Sequence, residues 1–144
     1  MSNFPTQLVT LPQPQHPDFH ALCDYIRAEL PEILVYFPWL TAEMLNTFGP
    51  EDCFSVLRRF AGKRVNLDAL CDQFPPNLRF KRVVGQNASD HNAIELQSDS
   101  GVFECLRRYH IQKLLQQNTP VNEIAATCGA SIRTVQRQRK QLAS

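Results

Sequence analysis

The chain has 144 residues, 43% of them hydrophobic and 20% charged, and a net charge of +1 at neutral pH. That is room for one average domain or two small ones, with the composition of a soluble globular protein. The charge is unevenly spread: from Cys105 to Ser144 seven Lys or Arg face the single acid Glu123, a net +6, which leaves residues 1–104 at −5. Phosphate neutralisation needs local positive charge of this kind, not a basic whole chain.

Five cysteines, Cys23, Cys53, Cys71, Cys105 and Cys128, are odd in number and widely spaced without any CxxC or Cys/His ligand pattern. Neither a disulfide framework nor a zinc site is expected, and a reducing cytoplasm fits best. The opening MSNFPTQLVTLPQPQ has no basic segment followed by an apolar one, so export is not expected. The longest apolar run, Ile33 to Phe37, falls far short of the roughly 20 residues a membrane helix needs.

Residues 1–16 carry Pro5, Pro12 and Pro14 among many Gln and cannot build a core, so a flexible or extended arm is expected. From Pro17 the residues Phe19, Leu22, Cys23, Ile26 and Leu30 recur at helical spacing, which predicts a first helix over 17–30 that Pro31 ends. PEILVYFPWL, with the only tryptophan, Trp39, is too apolar to be left in water and belongs to the core or to an association surface. Thr41 is placed to cap a short helix through Met44, Leu45 and Phe48 that Gly49 stops. Pro50, Glu51 and Asp52 open the next, with Cys53, Val56, Leu57 and Phe60 on one stripe, Arg58 and Arg59 in its last turn and Gly62 beyond.

KRVNL then suits a short strand with Val65 and Leu67 on one side. DALCDQFPP reads as a helical turn broken by Pro75 and Pro76. LRFKRVV alternates Leu78, Phe80 and Arg82, and NAIELQ presents Ile94 and Leu96, so a β-hairpin across the polar loop GQNASDH is expected. SDSG leads into a long helix with Val102, Phe103, Leu106, His110, Leu114 and Gln117 on one face, up to Asn118.

The last stretch, TPVNEIAATCGASIRTVQRQRKQL, carries the strongest pattern. Thr119 as cap, Pro120 in the first helical position and Glu123 near the positive dipole end start a helix whose apolar side is Val121, Ile124, Ala125 and Cys128. Gly129 ends it, because glycine enters the left-handed region without a Cβ penalty. Ser131 caps a second helix with Ile132, Val135 and Leu142 inward and Arg133, Arg137 and Lys140 on the opposite side. Helix, glycine turn and helix make a helix-turn-helix, in which Arg133, Arg137 and Lys140 reach bases and phosphates of double-stranded DNA while Thr134 and Gln136 flank them. The bland alternative is a helical hairpin with a solvated basic face. Gln138 and Arg139 lie near the inward side, where their stems must snorkel or a partner must cover them.

Two stretches together resemble the Mor transcription activators of Mu-like phages. FGPEDCFSVLRRFAGKRVNL is similar to that family's dimerisation region, and RRYHIQKLLQQNTPVNEIAATCGASIRTVQR looks like its C-terminal helix-turn-helix; the two cover about half of the chain. The resemblance implies a homodimer of intertwined helices and a short strand, two helix-turn-helix units on an inverted repeat, and contact with RNA polymerase during activation. It carries Gly62 and Val65 to Leu67 onto the strand, and Ser131, Arg133, Thr134 and Arg137 onto DNA.

The expected fold class is therefore mainly α: an arm at 1–16, a helical dimerisation region with strand and β-hairpin at 17–100, and a trihelical helix-turn-helix DNA-binding domain at 101–144. Arg133 and Arg137 are the candidates for base or phosphate contacts, with Lys140, Arg107 and Arg108 for phosphates. No cofactor, metal or catalytic residue is expected. His16 and His20 are separated by the Pro17 boundary, His91 lies in a polar loop, and His110 sits on an apolar helical stripe, where it packs. A serine recombinase or transposase subunit shares such a DNA-binding end, but Ser2 lies in the arm and Arg27 is the only arginine before residue 58, so no catalytic site assembles. The remaining alternative is a non-catalytic protein-interaction module.

Overall fold

A computed structural model of the chain describes residues 8, 10–60, 62–88 and 93–143. In order they form α1 (Pro17–Glu29), a 3₁₀ turn (Glu32–Tyr36), α2 (Trp39–Phe48), α3 (Pro50–Phe60), β1 (Arg64–Asn66), α4 (Leu67–Cys71) and α5 (Leu78–Asn87), then β2 (Ala93–Glu95), α6 (Asp99–Gln116), α7 (Val121–Cys128) and α8 (Ile132–Leu142). The fold is mainly helical with one small antiparallel sheet. No helix among the described residues is long and apolar enough to cross a membrane. All five cysteines are free thiols.

One large core is built from Phe19, Leu22 and Ile26 of α1, Met44 and Leu45 of α2, Phe54 and Leu57 of α3, and residues of every later element as far as Tyr109 in α6. Each fully buried Leu, Ile or Phe contributes about 1.5–3 kcal/mol. The helices end where short-range chemistry ends them. Gly49 closes α2 at φ 91°, its N–H on the Leu45 carbonyl, and Gly62 follows α3 at φ 74°. Of the expected arm, residues 1–7 and 9, Ser2 among them, lie outside the described residues, as does His91. Leu11 is not arm-like: it is buried at 4% exposure, and its N–H donates to Asp99 Oδ2 over 2.9 Å. A buried leucine with a satisfied amide offsets the ordering entropy that proline and glutamine alone could not.

The expected β-hairpin over 78–97 is replaced by a helix and one strand. Asn77 accepts the Phe80 N–H at 2.8 Å and caps α5, after which Phe80 and Val84 bury on one face and Leu78 stays 82% exposed. Phe80 decides this: its ring lies edge-on to Phe48 and Phe74, which stack on each other at 4.2 Å. The second expected strand forms, but its partner is β1, with Arg64 opposite Glu95, Val65 opposite Ile94 and Asn66 opposite Ala93. Leu67, expected on the strand, begins α4 because Asn66 accepts the Asp68 N–H at 2.9 Å.

Two expected caps are also displaced. Thr41 lies inside α2, 1% exposed, and its hydroxyl donates to Gln97 Oε1 at 3.0 Å. Thr119 does not cap α7, which has Pro120 as N-cap with no side-chain bond. Instead Asn118 takes a positive φ of 62°, and the Thr119 N–H returns to the Leu114 carbonyl at 3.1 Å. On α6, Gln117 is an exposed C-cap and not part of the inward face; Tyr109 and Ile111 are buried in addition to the residues expected.

Where α6 leaves the large core, polar side chains of α1 and α6 meet. Tyr25 Oη and His110 Nδ1 are 2.8 Å apart, Tyr109 donates to Glu29 Oε2 at 2.8 Å, and Lys113 pairs with Glu29 Oε1. Burial, with the Lys113 charge adding to it and Glu29 opposing it, holds His110 below its ordinary value of 6.5. Its neutral form therefore contributes stability that is present above the unfolded value and lost as pH falls. His110→Gln is expected to flatten the loss of stability as pH falls through and below 6.5, read from denaturant midpoints. An unchanged slope would mean that His110 takes no part in it.

Candidate nucleic-acid interface

The basic end of the chain is carried by α6, α7 and α8, which touch one another in all three pairings. Their shared core is Ile111 of α6, Ile124, Ala125 and Cys128 of α7, and Val135 of α8. Small Ala125 lets α7 approach its neighbours closely. Burial pushes the Cys128 thiol up to about 12, with Arg107 opposing the shift, so this cysteine packs as an uncharged group.

The turn between α7 and α8 has the expected chemistry. Gly129 sits at φ 63°, ψ 32°, with its N–H on the Ala125 carbonyl; the Ala130 N–H goes to the same carbonyl at 3.1 Å. Ser131 Oγ accepts the Thr134 N–H at 3.1 Å and lies 2.9 Å from Thr134 Oγ1. Gly129→Val is expected to cost roughly 1–3 kcal/mol, since a β-branched residue is strained in the left-handed region. Gly129→Asn is expected to cost a fraction of that. Thermal melts of the two variants give the comparison, and equal midpoints would contradict it.

With Val135 fully buried, rotation by 100° per residue turns Arg133, Arg137 and Lys140 to the far side of α8, where all three are exposed together with Gln136. Neither Arg133 nor Arg137 is held by an ion pair among the described residues. Ile132 and Leu142, expected inward, are 46% and 40% exposed. The core beneath α8 reaches one turn around Val135, too short to cover both ends of the helix. Gln138 is half-buried and Arg139 exposed.

Arg107 and Arg108 part company. Arg108 donates to the Tyr36 carbonyl at 3.2 Å, and its guanidinium lies 5.4 Å from the Tyr36 ring centroid, which ties it to the body of the protein. Arg107 is half-buried and lines a cleft of about 380 Å³ between α6 and α8, with Thr134, Arg137 and Gln138. That cleft was not legible in the sequence, because Arg107 and Gln138 are 31 positions apart, and the inward placing of Gln138 gives no sign of which residue it meets. Among the described residues no group of three or more His, Cys, Asp or Glu is placed to hold a metal ion. Comparison of the chain with protein-family models, with curated proteins and with solved structures finds no match.

Proposed function

We propose that this chain is a sequence-specific DNA-binding transcription regulator of the helix-turn-helix kind, with α8 as the helix that enters the major groove. The observation that supports it most is the outward Arg133, Arg137 and Lys140 face of α8, held opposite a buried Val135 by the Gly129 turn. Guanidinium groups such as those of Arg133 and Arg137, with no ion-pair partner among the described residues, can form bidentate contacts with guanine edges or phosphates, which is what direct readout requires. Thr134 and Gln136 flank them, while Lys140 and Arg107 serve phosphates. Arg108, occupied by Tyr36, steadies α6 in this reading and contacts phosphate only at the margin.

The resemblance to Mor activators supports a homodimeric activator that meets RNA polymerase at a palindromic site. Val35 and Trp39, 83% and 44% exposed, supply apolar surface for such a dimer near the region the resemblance points to. A second reading, a protein-interaction module, is favoured by the exposed Ile132 and Leu142 on the same α8.

Selection of bound sequences from a random duplex pool tests both. Recovery of a palindromic site, with log affinity falling linearly in log salt at about 0.9 per phosphate neutralised, is the expected result. A pool that yields no enriched sequence, with salt-insensitive capture of protein instead, would favour the second reading.

A further inference from the structure

The cleft between α6 and α8 poses a chemical problem that the DNA-reading face does not solve. Arg107 Nε and Gln138 Oε1 are both buried and have no hydrogen-bond partner among the described residues. A buried donor or acceptor left unpaired keeps the cost of losing its water with nothing to offset it. Arg107 and Arg137 also line the same cleft, with Glu104 as the one acid on its wall, and two guanidinium groups around one space repel unless an anion lies between them. The third arginine there, Arg108, already donates to the Tyr36 carbonyl.

We infer that this cleft binds a phosphate-class anion, with Arg107 Nε and the Gln138 amide as inner donors and the Arg137 guanidinium at the mouth. Gln138 suits the role because its amide exchanges oxygen and nitrogen by a flip without steric change, turning an orphaned acceptor into a donor. Phosphoryl oxygens accept from all three groups. At about 380 Å³ the space far exceeds the roughly 30 Å³ share of one water, and suits a phosphate with part of what carries it. The DNA reading bears only on the source of the anion. It makes the occupant one backbone phosphate beside α8, whereas a dissolved phosphate compound is the other source of the same chemistry.

Arginine side-chain N–H resonances of the isotope-labelled full chain report on the atom itself. The wild-type protein is titrated with inorganic pyrophosphate and, separately, with a duplex from the selection, or a random duplex at low salt if none is enriched. The Arg107 Nε resonance is expected to shift in at least one arm. A shift with pyrophosphate assigns a soluble compound; a shift with duplex alone assigns the DNA backbone. In the responding arm Arg107→Gln should weaken binding about tenfold, while Arg139→Ala, on α8 but off the cleft, should change it less than twofold. For duplex, Arg107→Gln should also reduce the salt slope by about 1. An Arg107 resonance unmoved in both arms overturns the inference. If duplex binds while that resonance stays still in both arms, the inference fails and the DNA reading stands. If pyrophosphate moves it and no duplex binds, the reverse holds.

Discussion

Replacing Arg133 and Arg137 together by Ala is expected to weaken binding to the selected DNA site by about 2–6 kcal/mol, roughly 30-fold to 10⁴-fold. The range reflects what each arginine does: a bidentate guanine contact is worth about 1–3 kcal/mol and specifies one base pair, whereas a phosphate contact is worth less and specifies none. Both side chains are exposed, so the double variant should keep its melting behaviour within about 0.5 kcal/mol of the parent. The single variants separate the roles. The one that reads a base should relax selectivity at one position of the site, and the one on a phosphate should weaken all sequences alike. Unchanged affinity of the double variant for the selected site would remove α8 as the reading helix.

Val135→Asp should have the largest effect on folding. The valine is fully buried in the small core with Ile111, Ile124 and Cys128, and an aspartate of similar size would place a carboxylate among those apolar side chains. An uncompensated buried charge costs about 3–5 kcal/mol, enough to undo a core of so few side chains. Val135 is not among the residues of the large core built on Phe19, Phe54 and Leu57, and Trp39 opens α2, the helix that carries Met44 and Leu45 into that core, so its fluorescence follows the unfolding of α2. Helical circular dichroism should therefore fall before Trp39 emission moves in a thermal melt. A single transition seen equally by both probes would show that the two cores fold as one unit, joined through α6. The polar contacts of Tyr25 with His110 and of Glu29 with Tyr109 and Lys113 lie at that joint.

Several features were legible because they depend on a few consecutive residues. Gly49, Gly62 and Gly129 take positive φ, Ser131 accepts the N–H three residues on, and α1 and α3 follow a 3.6-residue apolar spacing. LRFKRVV was not legible, since it fits both templates: Leu78, Phe80 and Arg82 alternate like a strand, while Phe80 and Val84 are four apart like a helix. The Asn77 cap and two distant phenylalanine rings chose the helix. In the same way Thr41 looked like a cap because nothing local shows that Gln97 will meet its hydroxyl. Arg108 looked like a phosphate ligand because Tyr36 is 72 positions away.

The cationic ridge of α8 and the glycine turn that aims it were therefore set by the sequence itself, since steric limits on φ, a capping hydroxyl and a 100° rotation act within one or two turns of chain. Only tertiary structure decided that β2 pairs with β1, that Ile132 and Leu142 lie beyond the reach of the small core, and that Arg107 and Gln138 face one cleft. Those outcomes depend on which surfaces remain uncovered once the large core has closed, and contacts between residues tens of positions apart leave no periodic trace in the chain.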